Sequence, residues 1–551
     1  MTILGRIVTA STVRDFPYQR SDYGAKPSDD RIGLARTLIR VYPIILAVAF
    51  SAVVLFWRLG TRSLLDWDEA IYAQIAKEMV HSGSWMSPHW GYKLWFEKPP
   101  LLMWITAILY KIFRINELWS RAASAFAGIG VISLTYLIAQ DFVDRLSGLL
   151  SVLVLLTSFQ FIAEARFGTT DVMLTFFTYL AIYAYWKFRA GATRAWYLAC
   201  ASCGLAIMTK GAGGLIAPLV IAILLILDGQ LSSFVRQRLF WRGFALAIAI
   251  VAPWHIFMLL RYGKRFVDSY VMYHVVQRVL VPIENHPHGR FMYVRVFDEG
   301  SYPWNWLVPF ALALALADAF RGNERTRSLV LIVVLIFGGY TAAQTGLPWY
   351  IVPVYPALAI LVGSMLRQAF YSRDTVAFSG LIFGTSILVL SASGKIVLAC
   401  SLAAIIALGA TWLLRRERTV QVAVIMIAVF FSIVGLNRLG PLYRNTETPI
   451  ARLSSMVKSL EPDDRRPIFI PGEPYGTQPG PSALFYSDKP VVNPTNVAAL
   501  GTLEVPDIKW VIATKSDLPS LSSLFDVRIT DQDGPLILFE TAKRSPQNGE
   551  H

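Results

Sequence analysis

Stretches of about twenty apolar residues recur along this chain, each long enough to cross a bilayer as a helix. This constrains the fold more than anything else in the sequence. The hydrocarbon core offers no water, so backbone polar groups must be paired within the segment. Of the 551 residues, 55% are hydrophobic and only 16% charged, whereas a soluble domain carries about a quarter charged residues. The expected fold class is therefore an all-α polytopic membrane protein with roughly 13 spans.

Charge placement orients those spans. The polar, basic segment 1–40 ends in Arg31, Arg36 and Arg40, which places it in the cytoplasm by the positive-inside rule. No cleavable signal peptide is expected, because the first long apolar run begins only after that segment. The first span is Val41–Trp57, the second Leu118–Gln140 and the third Leu146–Ala163, with Asp141, Asp144 and Arg145 in the short inner loop. Later inner loops hold Lys187, Arg189 and Arg194; Arg236, Arg238 and Arg242; Arg321, Arg325 and Arg327; Arg367 and Arg373; and Arg415, Arg416 and Arg418. The outer connections are Glu164–Asp171, Thr209–Gly214, Arg261–Ser301, Gln344–Trp349 and Ser391–Lys395. The membrane part is expected to run from 41 to 438, with large outer loops 58–117 and 261–301. An odd span count puts the tail 439–551 on the outer face with them. There RRPIFIPG, DIKWVIAT and GPLILFET read as strands of a small extramembrane α/β domain, and Pro471–Pro494 as a loop. The net charge of +14 belongs to topology rather than to nucleic-acid binding. Cys200, Cys203 and Cys400 provide no disulfide framework and read as small buried side chains.

One outer loop, Leu65–Trp104, is too rich in chemistry to be a connector. Asp68 and Glu69 head it, with Tyr72 a helical turn later. Glu97 and Lys98 close it, followed by Pro99 and Pro100. Trp85, Trp90, Trp95 and Phe96 between them suit a segment lying at a membrane surface. The acid pair can serve as general base, metal ligand or helix cap. Lys98 suits an anionic phosphate, and Glu97 a metal or an orienting role. Other ionisable groups recur on the same face: Arg166, Asp171, Lys210, and the set Tyr273, His274, Arg278. His274 and Arg278 are four apart, hence on one helical face, and suit phosphate binding or, for His274 with Glu97, a divalent metal. His286-Pro287-His288 is a weaker ligand candidate. Tyr350, in QTGLPWYIVPVYP, can face the same site. No phosphate-cradling glycine loop, Walker-type lysine or nucleophile elbow is present, which argues against nucleotide binding and fits a donor already in the membrane.

The ordered motifs D-E-x-x-Y-A, F-E-K-P-P-L-x-x-W, A-R-x-x-x-x-D, T-K-G, Y-H-x-x-x-R and L-P-W-Y-x-x-P, spread over Leu65 to Pro356, resemble those of the polyprenyl-phosphate-dependent glycosyltransferases of the GT-C superfamily. The resemblance is to the branch with lipid A aminoarabinose transferases and protein O-mannosyltransferases. It implies transfer of one sugar from an undecaprenyl- or dolichyl-type carrier to a lipid, envelope-glycan or protein acceptor at the outer face of the inner membrane. It implies Asp68, Glu69 and Asp171 as catalytic residues, and Tyr72, Lys98, Arg166, Lys210, Arg278 and Tyr350 as substrate-binding ones. Glu97 and His274 would flank or bind a metal. Aminoarabinose transferases carry an arginine after D-E-x, where this chain has Ile71, so neither that sugar nor that acceptor is assigned. A transporter of lipid-linked sugars is the competing class. Transporters place charged sites at the bilayer midplane between repeated halves, whereas here the charges cluster at one face without a repeat.

Overall fold

The computed structural model describes residues 30–282, 289, 291–371, 375–391, 417–472, 480–503 and 508–543. His286-Pro287-His288, Arg373, Arg415, Arg416 and most of the Ser391–Lys395 connection lie outside them. Residues Met1–Ile45 and Leu46–His551 are separate compact units; of the first, only the opening of the helix Asp30–Phe56 is described. All that follows concerns the second unit.

The fold is mostly helical. Among the described residues, six helices are long and apolar enough to cross a membrane, or seven if one bent pair counts as a single span. Tyr42–Phe56, Leu101–Ile112 and Val308–Phe320 are shorter apolar helices. Local sequence sets several ends. Asn116 caps Glu117–Phe142 by accepting the Trp119 N–H at 3.1 Å, and Asp144 caps Arg145–Leu156 by accepting that of Ser147 at 2.9 Å.

The expected third span is not one helix. Arg145–Leu156 and Phe159–Arg166 meet at a 70° bend. The hydroxyls of Thr157 and Ser158 donate to the carbonyls of Leu153 and Val154 at 2.7 and 2.8 Å, a local competition that bends helices. Trp304 Nε1 donates to Thr157 Oγ1 at 2.8 Å and fastens the corner.

The loop after the first span also differs from a surface segment. Its helix, Asp68–Ser82, is buried without a break from Glu69 to Met79, so it presents no lipid-facing stripe. Trp95 and Phe96 are likewise buried, Trp95 beside Tyr72 and Phe96 among Met208, Trp254, Met258 and Phe266. Asp68 is not the helix cap. Trp67 holds that place without a side-chain bond, and Gly83 ends the helix at φ 72°, a left-handed conformation that glycine adopts without steric cost. A short hairpin, β1 (His89–Trp90) with β2 (Lys93–Leu94), leads to Pro100 and the helix Leu101–Ile112.

The tail contains a five-stranded sheet in the order β4-β3-β5-β7-β6: β3 (Ile468–Phe469), β4 (Val491–Val492), β5 (Trp510–Thr514), β6 (Phe525–Asp533) and β7 (Leu536–Lys543). β3 runs parallel to β4 and β5, and β7 antiparallel to β5 and β6. The three expected strands are β3, β5 and β7. Each face of the sheet has its own apolar core, one with Ile450, Leu453 and Val457 of the helix Pro449–Leu460, the other with Leu521 of the helix Leu518–Leu524. The stretch expected as loop, Pro471–Pro494, holds β4 and the helix Pro481–Ser487; residues 473–479 of it are not described. Pro481 opens that helix at its first position, where a missing N–H costs nothing, and Ala483, Leu484 and Phe485 bury its face.

Candidate active site

The site is built where six separate segments meet. From the helix Asp68–Ser82, Asp68 and Tyr72 point to Lys98 of the F-E-K-P-P stretch. Lys98 Nζ donates to Asp68 Oδ2 at 3.1 Å and to the Tyr72 hydroxyl, and lies 4.8 Å from the centre of the Tyr72 ring. Asp171, in the first turn of Thr170–Arg189, pairs with Lys210 at the end of Ala195–Lys210. Lys210 Nζ sits 4.6 Å over the Tyr350 ring, and Arg278 Nη1 donates to the Tyr350 hydroxyl at 2.8 Å. These contacts form two neighbouring clusters, Asp68 with Tyr72 and Lys98, and Asp171 with Lys210, Tyr350 and Arg278, although 282 positions separate Asp68 from Tyr350; the Lys210 charge acts on Asp68 across them.

A cavity of about 260 Å³ opens beside this group. Lys98, Lys210, Arg278, Glu97, His274 and Tyr350 line its polar side, and Leu215, Ile216, Leu219, Leu335 and Ile336 line the rest. Three cations in the lining of a mostly apolar pocket suit an anionic head on an apolar tail. His274 lies on the π-helical stretch Val267–Gln277, a geometry that recurs at functional sites. Arg278 directly follows that stretch, so both reach the same cavity as their spacing suggested.

The electrostatics outside the spans follow from burial and the cations. Burial would raise the Asp68 carboxyl, but the Lys98 charge and hydrogen bonds from Tyr72 and Lys98 outweigh it and hold the group below its usual value. Burial, and then Asp68, push the Tyr72 hydroxyl well above its usual value. Burial, with Arg278 and Lys98 nearby, pushes His274 down to about 3, so its imidazole is neutral.

Two expected site residues stand elsewhere. Glu69 is a strut. Its carboxylate accepts from Arg121 Nε at 2.7 Å and Nη2 at 3.0 Å, and from the backbone N–H of Leu65 at 2.8 Å and Gly168 at 3.0 Å. Gly168 is pressed so close that an added Cβ would lie 2.8 Å from the Ser120 carbonyl oxygen. Arg166, also buried, donates to the carbonyls of Val54 at 3.0 Å and Leu55 at 2.8 Å, with its guanidinium 4.4 Å from the Tyr443 ring centre. Neither lines the cavity; Asp68, Tyr72 and Asp171 do not line it either, but they hold Lys98 and Lys210, which do. Glu97 and His274 both line it, but among the described residues no group of three or more His, Cys, Asp or Glu comes together to hold a metal. Two contributors escaped the sequence reading. Tyr340 lines the cavity and packs 4.8 Å from Tyr350; as an aromatic within an apolar run it carries no signal. Arg121 did carry one, since a cation inside a span needs a partner.

Comparison with known proteins bears on this geometry. Residues 45–266 match the family model of dolichyl-phosphate-mannose-protein mannosyltransferases. The crystal structure of ArnT from Cupriavidus metallidurans bound to undecaprenyl phosphate superposes with a TM-score of 0.67 at 20% identity, covering 91% of this chain and 98% of that one. The chain has the fold of that structure. The archaeal oligosaccharyltransferase AglB from Archaeoglobus fulgidus shares this fold more distantly, at a TM-score of 0.51 and 12% identity over 93% of this chain and 75% of that one. By sequence, an undecaprenyl phosphate-alpha-4-amino-4-deoxy-L-arabinose arabinosyl transferase of Pseudomonas fluorescens is 31% identical over 354 residues, 62% of this chain and 59% of that protein. An uncharacterized protein of Aquifex aeolicus is 29% identical over 344 residues, 62% of this chain and 66% of its own length. The chain thus spans less than two thirds of the length of the curated relatives it matches.

Proposed function

We propose that the chain is a membrane glycosyltransferase that takes a single sugar from a polyprenyl-phosphate carrier and passes it to an acceptor. The observation that carries this is the cavity lined by Lys98, Lys210 and Arg278 together with apolar side chains, with Asp68 bonded to Lys98 behind its wall. In the reaction, an acceptor hydroxyl attacks the anomeric carbon while the bond from that carbon to the carrier phosphate breaks. The hydroxyl proton passes to the Asp68 carboxylate, and the leaving electron pair stays on the phosphate, where the three cations stabilise it. A single displacement inverts the anomeric centre. Tyr350 orients Lys210 and Arg278, and Tyr72 orients Lys98. Glu69 and Arg166 are bracing residues in this reading, not members of the reacting set. No step passes through a metal.

The topology that goes with this reading has about 13 spans, with the Asp68 loop and the sheet together on the outer, periplasmic face of the inner membrane. Agreement between the F-E-K-P-P loop, the Y-H-x-x-x-R stretch and the tail on one face supports it.

The test uses purified protein in nanodiscs with radiolabelled polyprenyl-phosphate sugars, scoring transfer to an envelope extract and release of carrier phosphate. Wild type transfers sugar, and Asp68→Asn and Lys98→Ala lose transfer. If wild type moves no sugar while both variants bind carrier as it does, the catalytic assignment fails and the transporter reading replaces it.

A further inference from the structure

A second concentration of positive charge stands at the end of the helices remote from the site. The helix Arg238–Tyr262 has 25 residues, about 37 Å at 1.5 Å each. At its far end the Tyr262 hydroxyl donates to Ser87 Oγ at 2.7 Å, in the loop that leads to Lys98. Its first residue, Arg238, is thus at the opposite end, with Arg242 one turn later on the same face. Arg236 follows the short helix Leu231–Val235, and Arg194 directly precedes Ala195–Lys210. Aromatic rings draw these segments together: Trp196 packs 4.8 Å from Phe234 and 6.1 Å from Phe240 between ring centres. All four arginines are exposed, and among the described residues none is paired with a carboxylate. The one acid between positions 190 and 263 is Asp228, and Arg189 at 2.8 Å and Arg327 at 3.7 Å already claim it. Beside the arginines, Trp241 and Phe244 are 54% and 46% exposed, their rings edge-on at 5.8 Å. The Trp241 indole donates to the Val235 carbonyl at 2.9 Å, which fixes the ring at the helix end. Further along, the helix turns away from the protein, with only 17% of its apolar window buried.

We propose that this surface holds an anionic phospholipid whose headgroup carries two phosphodiesters. Unneutralised cations, then an exposed aromatic pair, then a bare apolar face match in order the phosphates, the interfacial region and the acyl chains of such a lipid. Each guanidinium is a planar fork that grips a phosphate through two N–H donors, and four forks with no acid among them suit two phosphates. Free glycerol phosphate would engage the arginines but leave Trp241, Phe244 and the apolar face uncovered, so the membrane lipid is the source that fits. Orientation of the chain alone would be served equally by lysine, yet all four cations here are arginine. This site is independent of the glycosyl-transfer reading.

The experiment uses the full chain, purified in detergent and stripped of lipid, with cardiolipin as the probe. Phosphatidylglycerol, phosphatidylethanolamine and glycerol phosphate are the comparisons. Native mass spectrometry measures binding, and thermal unfolding reads its effect. Cardiolipin binds saturably and raises the melting midpoint, phosphatidylglycerol binds about tenfold more weakly, and the other two do neither. Arg238→Gln/Arg242→Gln weakens cardiolipin binding about tenfold or more. Changing all four arginines to lysine keeps the charge but loses the forks, and falls between. The control Arg145→Lys/Arg321→Lys, at exposed arginines elsewhere, binds as wild type does. Without added lipid each variant melts as wild type does, which shows that it is folded. The site is refuted if phosphatidylethanolamine binds as well as cardiolipin, if neither the glutamine nor the lysine variant loses affinity, or if the control loses as much. Equal affinity for phosphatidylglycerol would overturn the two-phosphate assignment. Displacement of cardiolipin by an equal concentration of glycerol phosphate would overturn the lipid one.

Discussion

Glu69→Gln separates a strut from a catalyst. The Glu69 and Arg121 side chains are each 2% exposed, and Arg121 spends its remaining donors on the carbonyls of Leu59 at 2.9 Å, Arg62 at 2.7 Å and Ser63 at 3.0 Å. Neutralising Glu69 leaves the guanidinium charge buried without its counter-ion, a change that costs about 3–5 kcal/mol. At ~2.1 cal/mol/K per residue, the unfolding entropy of the 551-residue chain turns that into a fall of about 3–4 °C in melting midpoint. Thermal unfolding in detergent measures it, and sugar transfer at a temperature where the variant is still folded measures kcat alongside. The expectation is a lowered midpoint with kcat within about tenfold of wild type. The double variant Glu69→Leu/Arg121→Met removes both charges together, and recovers most of the lost stability because an apolar pair of similar volume replaces a buried ion pair at little cost. An unchanged midpoint with a collapse of kcat by about a thousandfold would refute the argument and return Glu69 to the reacting set.

Three further outcomes follow from the same geometry. Tyr72→Phe removes a hydrogen bond that holds the Asp68 carboxyl low, so the acid limb of kcat/KM moves to higher pH; an unmoved limb would mean that Asp68 does not set it. His274 is held near 3 in the folded protein against about 6.5 unfolded. Protonation therefore favours unfolding, and its contribution to stability is complete above about pH 6.5 and declines as pH falls from there towards 3. His274→Gln accordingly flattens the pH dependence of the melting midpoint below 6.5, without altering the activity profile between about pH 7 and 8; an inflection near neutrality lost in this variant would contradict a neutral imidazole. Arg278→Ala weakens undecaprenyl phosphate binding by about tenfold or more with a smaller loss in Tyr350→Phe, read by competition with labelled carrier; equal affinities would remove Arg278 from the phosphate site.

Much of the site was legible because its chemistry is expensive in a membrane. Asp68, Lys98, Asp171, Lys210 and Arg278 are charges in or beside apolar runs, and such charges persist where they have work to do. Their pairing, Asp68 with Lys98 and Asp171 with Lys210, was not readable, because it depends on how distant segments cross. Glu69 misled for a related reason: a carboxylate adjacent to Asp68 in sequence points to the other side of its helix, towards Arg121. The bend at Thr157–Ser158 was hidden because hydropathy is blind to a hydroxyl that turns on its own backbone. The helix Pro481–Ser487 reads as loop in the sequence because Pro, Gly and Ser surround it, although Pro at its first turn is a start signal. Legible parts, then, were those fixed by composition over a window; illegible ones were fixed by single contacts between remote residues.

The buried helix Asp68–Ser82 has one more consequence. Lys98 holds its first turn, and the tail grips the rest: Lys77 donates to the Phe485 carbonyl at 2.5 Å and pairs with Asp488, while Asp66, just ahead of it, accepts the Ser482 N–H at 2.9 Å. The Tyr486 hydroxyl receives the Leu64 N–H at 2.8 Å and donates to Glu117 at 2.9 Å. The tail is therefore a roof over the helix that carries Asp68 rather than an appendage beside it. Cutting the chain after Tyr443 would not yield a smaller working core but would flood the helix that carries Asp68. Grafting the tail of a relative would fail in the same way unless the sockets for Lys77 and Asp66 travelled with it, so roof and hearth must change together.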